Sequence, residues 1–115
     1  MIPIPEALKS KSSVHDLKRR LDWGEPALTI IDVRSRDSFN ACRITGAVSI
    51  PTEGLVERAL NNLDLTRDIY LYDSTDEGTT FAAGLLKKAG YQNVAELLGG
   101  LKAWNVSGFQ IEGTY

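Results

Sequence analysis

Runs of apolar residues that suit buried β-strands alternate along this chain with stretches of helical periodicity. The clearest strand covers residues 28–33, where apolar character is nearly continuous, as in a strand buried on both faces. The clearest helix begins at Phe81, and its apolar residues recur at i, i+3, i+4 and i+7 from Ala82. This alternation predicts an α/β domain with a mainly parallel sheet and helices on both faces.

The rest of the pattern continues in the same alternating order. Further strands are predicted at 47–50, 69–72 and 94–98. Further helices are predicted at 14–21, at 55–63 and from Leu101 to about Gly108. A separate short turn of helix is predicted after an N-cap at Ser35. Residues 1–12 contain prolines and show no periodicity, which indicates an N-terminal surface arm before a single domain at 13–115.

Composition narrows the class of protein. The 115 residues suffice for one domain with a single core. A net charge of −2 and a pI near 5.3 argue against nucleic acid or an anionic membrane as the partner. The single cysteine, Cys42, allows no internal disulfide, and no apolar stretch reaches transmembrane length or forms a signal-peptide core. We therefore expect a cytoplasmic protein.

The stretch after the predicted strand at 69–72 is the strongest candidate for chemistry. Its apolar run stops at Asp73, and a polar loop containing Asp76 and Glu77 leads to the helix predicted from Phe81. Such junctions aim backbone N–H groups at one point, where ligands collect in open α/β sheets. The loop contains no Lys, Arg, His or Cys. Asp73 is thus the residue at the focus of the predicted site.

Two groups of residues resemble the signatures of the rhodanese-like domain. The first group is Ile31, Asp32, Val33, Arg34, Phe39, Ile44, Gly46, Ala47, Ile50 and Pro51. The second group is Ala89, Gly90, Tyr91, Val94, Leu97, Gly99, Gly100, Trp104, Gly108 and Phe109. The resemblance runs from about Val14 to Ile111. It implies a three-layer α/β fold with a five-stranded, mostly parallel sheet, and it implies a scaffolding role for Asp32 and Arg34.

The resemblance also implies a particular chemistry for the loop. In active members the strand ends in a catalytic Cys, which takes a sulfane sulfur from a donor such as thiosulfate and carries it as a persulfide. The loop there is C-x-x-G-x-R-S or a close variant. In this chain Asp73 stands at the Cys, Asp76 at the Gly, Gly78 at the Arg and Thr79 at the Ser. A carboxylate cannot carry a persulfide, and the loop offers no cation to hold an anionic donor.

We therefore predict a rhodanese-like domain that lacks sulfurtransferase activity and acts as a binding or regulatory module. The simplest interpretation of Asp73 is structural, with its carboxylate accepting hydrogen bonds from the loop N–H groups. We expect a protein partner, and we expect no cofactor, metal, nucleic acid or membrane. The degenerate loop through which the partner would bind is Asp73, Ser74, Thr75, Asp76, Glu77, Gly78 and Thr79.

Three alternatives remain open for this region. Cys42 could be a displaced sulfur carrier, since the first-signature loop often approaches the active-site mouth in the family, although a lone cysteine is usually inert. Asp73 and Asp76, followed by Gly78, are similar to the haloacid-dehalogenase-like motif with one residue too many between the acids, which would favour phosphoryl transfer. Asp73, Asp76 and Glu77 could also bind Ca²⁺ or Mg²⁺.

Overall fold

The computed structural model of the protein describes residues 8–24 and 27–115, so most of the predicted arm lies outside the described residues. The strands in this part of the chain are β1 (Lys11–Ser12), β2 (Leu28–Asp32), β3 (Cys42–Ile44), β4 (Val48–Ser49), β5 (Asp68–Tyr72), β6 (Val94–Leu97) and β7 (Ile111–Gly113). Its helices are α1 (Val14–Trp23), α2 (Arg36–Ala41), α3 (Leu55–Asn62), α4 (Asp76–Lys88) and α5 (Gly100–Val106). None of these described helices is long and apolar enough to cross a membrane.

Five of the strands form one sheet in the order β1-β6-β5-β2-β4, and every neighbouring pair is parallel. This confirms the predicted α/β fold with a five-stranded, mostly parallel sheet. The central position of β5 places its carboxyl end beside the ends of β2 and β6, and Asp32 pairs in register with Tyr72. The site at the end of β5 therefore lies at the carboxyl edge of the sheet, where ligands bind in open α/β folds.

Apolar side chains cover both faces of the sheet, as expected of a three-layer fold. On one face, α1 and α5 contribute Val14, Leu17, Leu101 and Trp104 to a core that includes Tyr70 and Tyr72. On the other face, α3 and α4 contribute Leu55, Ala59, Ala82, Ala83 and Leu86 to a core that includes Ile69 and Leu71. The alternation of β5 residues between the two cores follows from the two-residue period of a strand.

Helix α4 begins at Asp76, five residues before the start predicted from apolar periodicity. Its N-cap is Thr75, whose Oγ1 accepts a hydrogen bond from the Gly78 N–H at 3.1 Å. The prediction of a start at Phe81 is wrong because the first turn is polar and carries no apolar period. Asp76 and Glu77 are accordingly first-turn residues, where carboxylates suit the helix dipole.

Three strands, β1, β3 and β7, have no counterpart among the strands predicted from the sequence. Lys11 and Ser12, which were assigned to the arm, form β1 and pair in parallel with β6, and Ser12 is buried. Near the other end, β7 pairs antiparallel with β3 in a separate two-stranded sheet. These three strands are only two or three residues long, too short for a period of two to be recognised in the sequence.

Candidate functional site

The junction between β5 and α4 is held by one buried hydroxyl group. Thr79, in the first turn of α4, accepts a hydrogen bond on Oγ1 from the Asp73 N–H at 2.9 Å. The same hydroxyl donates to the Thr75 carbonyl oxygen at 3.0 Å. Because Thr79 is almost wholly buried, these bonds fix the short connection from β5 to the helix.

The carboxylate of Asp73 lies over the start of α4. Its Oδ1 accepts a hydrogen bond from the Ser74 N–H at 2.6 Å, so one loop N–H is bound rather than several. A Cβ added to Gly78 would lie 2.9 Å from Asp73 Cγ and closer still to Oδ2. The carboxylate thus occupies the space directly above Gly78, the position at which the resemblance places an Arg.

Asp76 does not join Asp73 at the focus of the junction. Its Oδ1 accepts a hydrogen bond from the Gly99 N–H at 2.9 Å, which ties the first turn of α4 to the turn before α5. Within residues 8–24 and 27–115, no three His, Cys, Asp or Glu side chains are arranged to hold a metal ion. The arrangement of Asp73, Asp76 and Glu77 therefore gives no support to the alternative of a Ca²⁺ or Mg²⁺ site on these carboxylates.

A cleft of about 410 Å³ opens beside the junction. Its lining residues are Arg34, Ser38, Ala41, Cys42, Asp73, Ser74, Gly99, Leu101, Lys102, Thr114 and Tyr115. The structure thus brings Cys42 and Asp73 to one cleft, although the Cys42 residue is only 5% exposed. Arg34 and Lys102 bring cations to the cleft that the loop sequence does not contain, and Thr114 and Tyr115 come from the far end of the sequence.

The charge of Arg34 is largely matched by a buried carboxylate. Asp32 is fully buried, and its oxygens accept hydrogen bonds from Arg34 Nε at 3.0 Å and from Nη2 at 2.7 Å. Arg34 also donates to the Cys42 carbonyl oxygen. Lys102, in contrast, has no ion pair within the described part of the chain. Asp32 and Arg34 therefore brace the cleft wall, in agreement with the scaffolding role implied for them.

The Tyr72 phenol lies beside Asp32 and Arg34 and belongs to the same buried polar group. Burial, followed by the nearby Asp32 carboxylate, raises the pKa of the Tyr72 phenol well above its ordinary value. Its hydroxyl oxygen accepts a hydrogen bond from the Ile44 N–H at 3.2 Å. Tyr72 is therefore a neutral structural group that connects β5 to β3.

Comparison with known proteins identifies the same fold and family. The family model for the rhodanese-like domain matches residues 13–107. The crystal structure of the Alr3790 protein from Anabaena sp. has a TM-score of 0.86 and 51% identity, covering 89% of this chain and 91% of that chain. The solution structure of the rhodanese-like domain of the same protein has a TM-score of 0.89 and 48% identity, covering 93% and 81%.

More distant relatives carry names that refer to sulfur chemistry. A thiosulfate sulfurtransferase from Pseudomonas aeruginosa has a TM-score of 0.79 and 28% identity, covering 90% of this chain and 20% of that chain. YrkF of Bacillus subtilis, whose name is that of a candidate sulfur carrier protein, is 32% identical over 92 residues, or 80% of this chain and 49% of that protein. The chain thus spans about half the length of that relative, and from its signatures, its fold and these matches it belongs to the rhodanese-like domain family.

Proposed function

We propose that this rhodanese-like domain does not transfer sulfur from thiosulfate, and that it binds a protein partner at the cleft beside the β5–α4 junction. The observation that carries the proposal is the Asp73 carboxylate, which stands where the family places the sulfur-carrying Cys. Sulfur transfer requires a polarisable thiolate that can attack the donor and hold the sulfane sulfur as a persulfide. A carboxylate can do neither.

The surroundings of Asp73 also disfavour an anionic sulfur donor. Thiosulfate would meet the negative charge of Asp73 at short range, with Asp76 and Glu77 on the adjoining helical turn. Gly78 supplies no guanidinium, and the charge of Arg34 is largely offset by Asp32. Lys102 lines the same cleft, but a single ammonium group cannot make the bidentate contacts with which an Arg at position 78 would hold an anion, so the junction lacks that clamp.

The cleft remains available for binding. It offers the hydroxyl groups of Ser38, Ser74 and Thr114 together with a carboxylate at Asp73 and an ammonium group at Lys102. A partner surface that carries both charge signs and hydrogen-bonding groups suits this lining better than a small anion does. We therefore favour a polar protein segment as the occupant.

A cyanide-coupled thiosulfate assay tests the loss of activity. We expect the wild-type domain to form thiocyanate no faster than the uncatalysed background, because no thiol lies at the end of β5. Cys42→Ser should behave identically. Turnover by the wild type that disappears in Cys42→Ser would overturn the proposal and assign sulfur transfer to the displaced thiol.

Affinity capture from the native cell tests the binding role. Lys102→Glu and Asp73→Lys reverse one charge each in the cleft, whereas Lys88→Glu makes the same change as Lys102→Glu at the far end of α4. We expect one protein to be retained by the wild type and by Lys88→Glu and to be lost with both cleft variants. A set of captured proteins that is identical for all four baits would contradict a binding role for the cleft.

One observation favours a second candidate function, sulfur transfer through Cys42. This residue lines the same cleft as Asp73, together with the cations Arg34 and Lys102. In such a reaction the Cys42 thiolate would attack the sulfane sulfur and release sulfite, leaving a persulfide for transfer to cyanide or another acceptor. Intact-protein mass spectrometry after incubation with thiosulfate would show a gain of one sulfur atom on Cys42, and no gain would exclude this candidate.

A further inference from the structure

Residues 111–115, which we call the C-terminal strap, form part of the wall of the cleft. The strap consists of β7 followed by Thr114 and Tyr115, both of which line the cleft with Asp73 and Ser74. Tyr115 is 62% exposed. The opening of the cleft therefore depends on where this segment lies.

Few interactions hold the strap in place. It pairs with β3 over three residues, apart from the five-stranded sheet, and the Thr114 N–H donates to the Ala41 carbonyl oxygen at 3.0 Å. The ion pair between Arg43 Nε and Glu112 Oε1 is 3.5 Å long and partly exposed, so solvent screens it. Within the strap only Ile111 is partly buried. Ile111 packs against the core that contains Cys42 and Ile44 of β3, but residues 112–115 are exposed, so the strap itself buries little apolar surface and should open at low cost.

The residue before the strap is held much more firmly. The Gln110 carbonyl oxygen accepts hydrogen bonds from Trp104 Nε1 at 2.8 Å and from the Thr45 N–H at 3.3 Å. Trp104 is buried in the core beneath α5. Gln110 can therefore stay in place when the residues after it move.

We infer that the C-terminal strap is a lid, which leaves β3 as one unit, hinged at Gln110, and widens the cleft while the five-stranded sheet stays folded. Gly113 lies close against Ala41 and Cys42 with a φ of 90°. An added Cβ would lie 3.0 Å from both the Ala41 carbonyl carbon and Cys42 Cα. Once the strap separates from β3, the contacts of Gly113 with Ala41 and Cys42 are all lost at the same time. The lid goes beyond the proposed function, since it would gate the cleft for a sulfur donor as well as for a protein.

Amide hydrogen exchange of the wild-type domain, followed by NMR, tests the lid directly. The Glu112 and Thr114 amides should share one protection factor, at least about 100-fold below that of Val33. The Val33 N–H donates to the Tyr72 carbonyl oxygen at 3.0 Å and reports on the main sheet. The exchange rates of the Glu112 and Thr114 amides should depend little on denaturant concentration at low concentrations, since opening of the strap exposes little surface.

Either of two other wild-type patterns would overturn the lid. Protection that rises step by step from Tyr115 inward would indicate simple fraying of the chain end. Exchange of Thr114 at the rate of Val33, with the same denaturant dependence, would mean that the strap opens only when the whole domain unfolds.

Two glycine variants sharpen the test. Gly113→Val should lower the protection of Thr114 by at least about 10-fold and leave Val33 nearly unchanged, because the added side chain collides with the backbone of Ala41 and Cys42. Gly108→Ala shares the left-handed backbone, with φ of 79°, but its Cβ would meet no atom within 4 Å, so strap protection should persist. Equal loss of protection at Thr114 and Val33 in Gly113→Val, or failure of that variant to fold, would contradict an independent lid.

Discussion

At the scale of single residues, the site is defined by the contact between Asp73 and Gly78. The carboxylate lies where any Cβ at position 78 would have to go, so the two residues constrain each other. An Arg at position 78, as in the family's loop, would collide with the Asp73 side chain unless a shorter residue replaced Asp73 as well. Thiol chemistry at the end of β5 would require a Cys at position 73 as well as a cation at position 78, so neither single substitution would supply both groups.

A double-mutant cycle measures this constraint. Gly78→Ala in the wild type should lower the free energy of unfolding by about 1 kcal/mol, because overpacking outweighs the better helix propensity of Ala. In the Asp73→Ala background, where the carboxylate is absent, the same change should be neutral or stabilising by up to about 1 kcal/mol. Denaturant unfolding of the four proteins gives the coupling energy.

Gly84→Ala in the same helix is the matched control, since an added Cβ there meets nothing within 4 Å. It should stabilise both backgrounds by about 0.5–1 kcal/mol through helix propensity alone. If Gly78→Ala stabilises both backgrounds to the same extent as the control, Asp73 does not occupy the space above Gly78.

At the scale of secondary structure, the first turn of α4 organises the junction through side chains that point back to the strand. The Thr75 hydroxyl caps the helix, and the Thr79 hydroxyl joins the Asp73 N–H to the Thr75 carbonyl oxygen. Asp76 extends the same turn to the Gly99 N–H. The residues that replace the family's loop sequence thus form a rigid connection, and their hydrogen bonds are made within the domain.

The contribution of the Thr79 hydroxyl to stability can be tested with two variants of this α4 residue. Thr79→Val removes the hydroxyl at nearly constant shape, so the Asp73 N–H loses its partner, and the free energy of unfolding should fall by about 1–3 kcal/mol. Thr79→Ser keeps the hydroxyl and loses one methyl group, so its cost should be only about 1 kcal/mol. Denaturant midpoints compare the two variants, and an equal or smaller loss for Thr79→Val would show that the bridging hydroxyl does not stabilise the junction.

At the scale of the whole molecule, Tyr72 joins the main sheet to the small sheet. Its ring lies in the core on the α1 and α5 side, and its hydroxyl oxygen binds the Ile44 N–H of β3. Burial and the Asp32 carboxylate raise the pKa of this phenol, so the folded protein keeps a proton that the unfolded chain releases near pH 10. Stability from this group is fully present below that pH and is lost as the pH rises above it.

The stability of the domain should therefore fall above pH 10, with Tyr72 contributing up to about 1.4 kcal/mol per pH unit. Tyr72→Phe should show a shallower alkaline decline, although at neutral pH it should be less stable by about 1–3 kcal/mol because the Ile44 N–H loses its acceptor. Tyr91 has a pKa that is also raised by burial and by Asp64, so part of the decline in stability at alkaline pH should remain in Tyr72→Phe. Denaturant unfolding between pH 8 and about 11 tests this, and an unchanged alkaline slope in Tyr72→Phe would rule it out.

Much of this architecture follows from the sequence by itself, because its signals are local. The apolar runs at 28–33, 69–72 and 94–98 predict β2, β5 and β6 to within one residue at each end. Ser13 and Ser35 cap α1 and α2 as predicted, since a cap depends only on the few residues that follow it. The position of Asp73 at the end of a strand, and the absence of a thiol there, also need no structure to be recognised.

Tertiary structure decided what depends on contacts between distant residues. The start of α4 at Asp76 depends on a local cap at Thr75 and has no apolar period, whereas the hydrogen bond from the Gly99 N–H to Asp76 depends on packing between distant parts of the chain. Strand β7 exists because β3 pairs with it, and it carries Thr114 and Tyr115 to the cleft. A short strand and a cleft lining are set by long-range pairing and packing, which leave no periodic signal in the residues that take part.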